Sequence, residues 1–362
     1  MENSADFLRS SQGRGVRPRE VSLSNRGGTS SNFEPGSFGV DRLSVSCRVY
    51  DFDPSPSAWS GHQERFSAQG ERFQETFSRS VEVVPGVSAF VSVMRRFEQS
   101  VLSPVFAKVE FNPARVADPG GHSLASVSDA LESFSLALDA TARLVDFVDG
   151  DDLSSFRLKR LDVARDFHDV FSPSALIRGL APIPRPWSRK NLVHADPARH
   201  GAQTLVVGSG AGQARLYDKF EETQGGVAPG TLRCEFEARS DWVKNYGGMG
   251  SLADLDNARV EGLARDRWEW SAMGVEVKSI NAVVEMVARS GLSPREQCSF
   301  LGWLVTQSTD FGFVPAKATL AKYRKIQREL NVAFGADFVS SIGFSSRLDW
   351  ESGTVVTRVT SA

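Results

Sequence analysis

Two short segments, in which charged and apolar residues alternate one by one, constrain this chain most. In 157–167, Leu161, Val163 and Phe167 share one parity, and Arg160, Asp162 and Asp166 share the other. In 231–238, Leu232, Cys234 and Phe236 alternate with Arg233, Glu235 and Glu237. Successive side chains of a β-strand point to opposite faces, so each segment sorts its apolar set from its charged set only as a strand. A helix would scatter both sets around its circumference. The expectation is a sheet with one face on a core and the other face polar.

Other segments extend the sheet. Leu43, Val45, Cys47 and Val49 alternate with polar residues over 42–50. Residues 104–111 read as a further strand, and the stretch between reads as a loop rich in Pro, Ser and Gly. Residues 203–207 and 214–220 read as a hairpin joined by Gly-Ser-Gly-Ala-Gly-Gln. Helical spacing appears at Leu131, Phe134, Leu138, Ala142 and Val145, with Ser126 or Ser128 as the cap. From 251 onward helices are predicted over 251–273, 276–289, 293–307 and 315–332, with a strand returning after Phe338. Ser293-Pro294-Arg295-Glu296 is a helix start: a Ser cap followed by Pro at the first helical position.

The fold class that follows is α+β, an antiparallel-rich sheet domain over 39–247 and a mainly helical subdomain over 248–362. Residues 1–38 hold few large apolar side chains, too few to offset the entropy of ordering them, and read as a disordered tail. The 362 residues carry 42 Lys+Arg against 44 Asp+Glu, so any nucleic-acid contact must come from local patches rather than the overall field. Cys47, Cys234 and Cys298 are odd in number and widely spaced, which supports neither a zinc site nor a disulfide framework. With no hydrophobic signal core and no membrane-length apolar run, a cytoplasmic protein without a membrane partner is expected.

The chemistry-bearing residues lie on the polar faces. If 214–220 is a strand, Arg215, Tyr217 and Lys219 share one face. Cations beside a tyrosine stabilise a phenolate and hold a phosphodiester next to it. A phenolate attacking phosphorus conserves the ester energy for resealing. The alternative is an exposed strand with ordinary cross-strand pairs. Asp162, Asp166 and Glu235, with Glu237 beside them, offer carboxylates from two strands that suit Mg²⁺ or Mn²⁺, or else form a solvated charged face. The helix 315–332 carries Lys317, Lys322, Arg324, Lys325 and Arg328 against the stripe Leu320, Tyr323, Ile326 and Leu330. It reads equally as a helix-turn-helix DNA reader, though with a long connector, and as an amphipathic helix with a solvated face.

The order Arg-Leu-Asp-x-x-x-Asp at 160–166, Arg-Leu-Tyr-Asp-Lys at 215–219 and Leu-Arg-x-Glu at 232–235 resembles the Rep_trans replication initiation factors. The resemblance runs from about Asp41 to about Arg239 and includes Val40–Val45 and Val109–Pro113. It implies a rolling-circle initiator that nicks and recloses origin DNA of small plasmids or filamentous phages. It places the nucleophile on Tyr217 and the acidic metal positions on Asp162 and Glu235, with Asp166 less closely aligned. Origin DNA and a host helicase are the implied partners, and a homodimer would suit an inverted-repeat origin by symmetry. The His-hydrophobic-His pair of the other large class of initiators is absent, since no two of the five histidines are separated by one residue. A tyrosine recombinase is disfavoured because no histidine is arranged with the tyrosine in a phosphate cradle. The rival function is a non-cutting copy-control or regulatory DNA-binding protein.

Overall fold

The computed structural model describes residues 38–98, 101–102, 104–181, 183, 191–195, 202–209, 212–245, 247–307, 315–330, 333–334 and 343–360. The tail expected over 1–38 lies outside the described residues except for Phe38. Tyr246, the connector 308–314 and the stretch 335–342 lie outside them too.

Among these residues the fold is α+β. Its centre is a 12-stranded sheet whose pairings are all antiparallel. In chain order the strands are β1 (Gly39–Phe52), β2 (Gly61–Phe66), β3 (Arg72–Val84), β4 (Val87–Glu98), β5 (Val101–Leu102), β6 (Phe106–Phe111), β7 (Val145–Phe147), β8 (Arg157–Phe167), β9 (Asn191–Ala195), β10 (Ala202–Ser209), β11 (Gly212–Asp218) and β12 (Leu232–Arg239). Their spatial order is β2-β3-β4-β6-β1-β8-β12-β11-β10-β9, with β5 on β4 and β7 on β1.

The alternating segments pair with one another. Glu237 faces Asp162 and Arg233 faces Asp166, while Phe236 faces Val163 and Leu232 faces Phe167. Charge is therefore gathered on one face and hydrophobe on the other. The apolar face is covered by α1 (Pro113–Ala117), α2 (Val127–Thr141) and α3 (Pro173–Leu180), with Phe134, Phe156, Phe167, Leu176, Leu205 and Phe236 fully buried. Each such side chain contributes about 1.5–3 kcal/mol. Ser126 starts α2 in a reciprocal box with Asp129, and the helix stops at Thr141 before β7 instead of running to 147.

A correction concerns residues 61–98. Read as loop, they form three strands, β2 to β4, the last two being 13 and 12 residues long. Their outward positions hold Ser, Thr and exposed Phe, which blurs alternation in the sequence. At the β10–β11 hairpin Gly208 takes φ of +84°, and a Cβ there would come within 2.5 Å of the Trp270 ring. Only glycine fits that site without strain.

The short helix α4 (Lys219–Glu222) lies between β11 and β12, and after β12 come α5 (Ser240–Asn245), α6 (Asn257–Ser271), α7 (Ile280–Ala288), α8 (Pro294–Gln307) and α9 (Lys317–Glu329). A small second sheet joins β13 (Val277–Lys278), β14 (Ala333–Phe334), β15 (Gly343–Asp349) and β16 (Thr354–Thr360). The expected division at 247/248 does not interrupt the main core, which recruits Val260, Leu263, Met273, Leu348 and Trp350. Helices α7, α8 and α9 have their own cluster, including Val283, Val287, Phe300, Trp303, Leu304 and Ile326. No described helix is long and apolar enough to cross a membrane.

Candidate active site

Tyr217 sits on the polar face of the sheet between Thr204 of β10 and Arg233 of β12. It borders a cavity of about 350 Å³ that Arg42, Arg115, Arg215, Lys219, Arg233 and Glu235 also line. His122 and Glu222 complete part of the wall. Strand register brings these residues together from β1, β11 and β12, and the segment after β6 closes the end.

The tyrosine hydroxyl donates to Glu235 Oε2 at 3.3 Å. Arg215, opposite Glu235 in register, donates to Glu235 Oε1 at 3.4 Å and to Glu237 Oε2 at 2.8 Å. Burial, then the charge of Glu235, holds the Tyr217 phenol above its ordinary pKa, against the opposing pull of Arg233. Burial likewise raises Glu235, with Asp41 adding to it and Arg215 opposing. A carboxylate shifted upward is a stronger proton acceptor, and it stands next to the phenol whose proton must leave.

Lys219 departs from the expected geometry. The Asp218 side chain accepts from Glu221 N at 3.2 Å and caps α4, so Lys219 begins that helix instead of continuing the strand. Its ammonium nevertheless lies 5.7 Å from the Tyr217 ring centre and pairs with Glu222 at 2.7 Å. Tyr217 and the two cations expected beside it, Arg215 and Lys219, thus line one cavity.

The carboxylates do not form an open metal cradle. Asp162 is fully buried, and Arg160 Nε and Nη2 hold it at 2.8 and 2.5 Å. Burial pushes its carboxyl up to about 7, although Arg160 opposes that shift. Arg233 clasps Asp166 at 2.6 and 2.7 Å. Glu235 serves Tyr217 and Arg215. The expectation that Asp162, Asp166 and Glu235 bind Mg²⁺ or Mn²⁺ therefore does not fit this donor set: arginines on the same face supply the positive charge that an ion would bring. Among the described residues, the group of three whose ligand atoms lie within 4.8 Å of one another is His62, Glu64 and Glu75. It lies on the other face of the sheet, with His62 opposite Phe77. Its nearest member, Glu75 on β3, is six strands from β11, on the order of 29 Å at about 4.8 Å per strand, so it cannot act on Tyr217.

Sequence reading missed two members of the site. Arg233, 2% exposed, also reaches Asp41 at 3.1 Å and the His122 carbonyl at 2.7 Å, tying β1, β8 and the 118–123 segment together. Alternation placed it on the right face but gave no partner. His122 is held below its ordinary pKa by burial and by Arg115 and Lys219, so it is neutral near pH 7. No local motif marks it. His168, which directly follows β8, is exposed.

The basic residues of α9 are on the surface. Lys322 pairs with Glu296 of α8, and Lys325 lies 3.7 Å from Glu329. Ile326 and Gln327 are buried, and Tyr323 packs on Phe300 and Trp303.

No family model matches the chain, and no curated protein does either. Among solved structures, a rolling circle replication initiator protein from Geobacillus stearothermophilus is similar at a TM-score of 0.30 and 13% identity, over 73% of this chain and 95% of that one. The di-domain ARO/CYC BexL from the BE-7585A biosynthetic pathway is similar at 0.19 and 9% identity, over 58% of this chain and 75% of that one. Neither likeness is close enough to carry an argument about this chain.

Proposed function

We propose that this chain is a DNA nicking-closing enzyme that starts rolling-circle replication, as its resemblance to the Rep_trans initiators implies, with Tyr217 as nucleophile. The observation that carries the reading is the phenol–carboxylate pair of Tyr217 and Glu235 in a cavity walled by arginine and lysine. In the reaction Glu235 takes the phenolic proton as the Tyr217 oxygen bonds to phosphorus. The P–O3′ bond breaks, and the released 3′ oxygen takes a proton from water, whose hydroxide is neutralised by the proton that Glu235 took from Tyr217. Arg215 and Lys219 face the phosphate and balance the charge that accumulates on it. Return of the 3′ oxygen to phosphorus expels Tyr217 and reseals the strand. The sheet domain performs this chemistry, and the basic helix α9 supplies affinity for duplex origin DNA. No step is assigned to a metal.

A second reading, a DNA-binding regulator that does not cut, is favoured by one observation: the cations beside the phenol are already paired, Arg215 with Glu235 and Glu237 and Lys219 with Glu222. One experiment separates the two. The protein is incubated with a randomised pool of single-stranded DNA, with Mn²⁺, Mg²⁺ or EDTA, and adducts that survive SDS are sought. The nicking reading expects an adduct that Tyr217→Phe abolishes while Tyr50→Phe and Tyr323→Phe retain it. DNA binding without an adduct under any condition would sink the nucleophile assignment and leave the regulator. Adduct formation by Tyr217→Phe would move the nucleophile elsewhere.

A further inference from the structure

The polar face does not end at the cavity. It continues across β8, β1, β6 and β4, away from Tyr217. Register fixes which residues share it. Arg42 faces Asp162, Phe90 faces Glu110, Lys108 faces both Ser46 and Ser92, and Phe106 faces Arg48. Arg157 faces Ser46 from the other side. All of these project from the side that carries Tyr217, because the intervening positions Leu43, Val45, Cys47, Val91, Val93, Ala107 and Val109 are in the core.

Two features of this surface need a partner. Phe90 and Phe106 are 44% and 38% exposed, although every second residue beside them is buried. They stand four residues apart along the strands, roughly 14 Å, or about four steps of a stacked strand at ~3.4 Å each. Around them lie Arg48 and Arg157, which are exposed and, among the described residues, make no ion pair. Arg42 and Lys108 are 44% and 41% exposed at their side chains and share Glu110 as counter-charge. Arg42 also lines the Tyr217 cavity, so the surface and the site are continuous.

We infer that this sheet face, from Phe90 and Phe106 to Arg42, is a track for single-stranded DNA leading to Tyr217. Exposed aromatic rings spaced among cations match an unpaired strand, whose bases offer faces to stack on and whose phosphates offer charge. A duplex keeps its base faces covered and could use only the cations. An apolar protein partner would use the rings but not the surrounding charge. The inference rests on the nicking reading for its direction toward Tyr217, but its binding test does not need cutting.

The test is equilibrium binding of a labelled 20-nucleotide dT strand and a 20-base-pair duplex to the full chain. Phe90→Leu with Phe106→Leu keeps apolar surface and removes the rings; single-strand affinity should fall about tenfold or more, with the duplex affinity and melting temperature unchanged. Arg48→Gln with Arg157→Gln should flatten the single-strand salt slope by about 1.4, at ~0.7 per phosphate. Unchanged single-strand affinity in the Phe pair would overturn the track, as would equal losses for strand and duplex. Adduct formation at saturating DNA is read in parallel. A track that binds in a protein that forms no adduct refutes the nicking reading alone; an adduct formed by a protein whose Phe variants bind normally refutes the track alone.

Discussion

Replacing Arg233 with Met removes the guanidinium that organises the floor of the cavity. Met fills much of the vacated volume, so the loss is chiefly of charge and hydrogen bonds. Four donated bonds disappear: two to Asp166, one to Asp41 and one to the His122 carbonyl. Removing one partner of a buried ion pair costs about 3–5 kcal/mol, because the other charge stays buried without compensation. Here the Asp166 and Asp41 side chains keep 18% and 17% exposure, so water relieves part of the penalty. The lower end, about 3 kcal/mol, is therefore the expected loss. At roughly 2 °C per kcal/mol for a chain of this size, the melting temperature falls by about 6 °C. Adding Asp166→Asn to the Met variant should recover part of the loss, since the stranded carboxylate is gone. The assay is thermal melting of the four proteins of that cycle, with and without Mn²⁺. A Met variant that melts within about 1 °C of wild type would refute the claim that Arg233 is the partner of Asp166. So would wild-type protein that Mn²⁺ stabilises only while Asp166 is present, because that is the signature of a metal ligand.

Glu235→Gln should slow adduct formation by about 100-fold or more, the usual contribution of a positioned base, while single-strand affinity stays within about twofold. A full rate with Gln would remove Glu235 from the proton transfer. Asp162 has its pKa raised from 3.8 to about 7 in the fold, so between those values the folded state holds a proton that the unfolded chain has released. Its contribution to stability is full below about pH 4 and declines as pH rises to about 7; urea midpoints of Asp162→Asn should lack that decline, and an identical pH slope in both proteins would contradict it. Changing Lys322, Arg324 and Lys325 together to Gln should flatten the salt dependence of duplex binding by up to about 2.7, at ~0.9 per phosphate contact, with single-strand adduct formation retained. Since Lys322 and Lys325 have acidic neighbours, a smaller change is in keeping with α9 as the reader, whereas an unchanged slope makes it only a solvated face.

What the sequence determined by itself follows from its short-range periodicities. Alternation in 160–167 and 232–237 set the strand type, the faces of Asp162, Arg233 and Glu235, and hence the polar side of the sheet. Capping chemistry at Ser126 and Ser293 set two helix starts, because a hydroxyl three residues from an orphan N–H acts locally. Tyr217, Arg215 and Lys219 could be singled out because they are neighbours in the chain. The tertiary structure alone decided who pairs with whom. Asp41 and Arg233 are 192 residues apart, and no periodicity within a strand tells that β12 lies beside β8 rather than at an edge. Burial changed the expected electrostatics: side chains that read as a solvated face or a metal cradle are sealed against one another by hydrogen bonds, and burial raises the pKa of the tyrosine expected to ionise. A pattern of residue types fixes which side a group points to. Dielectric and the nearest opposite charge, which set what the group can do there, depend on strands distant in sequence.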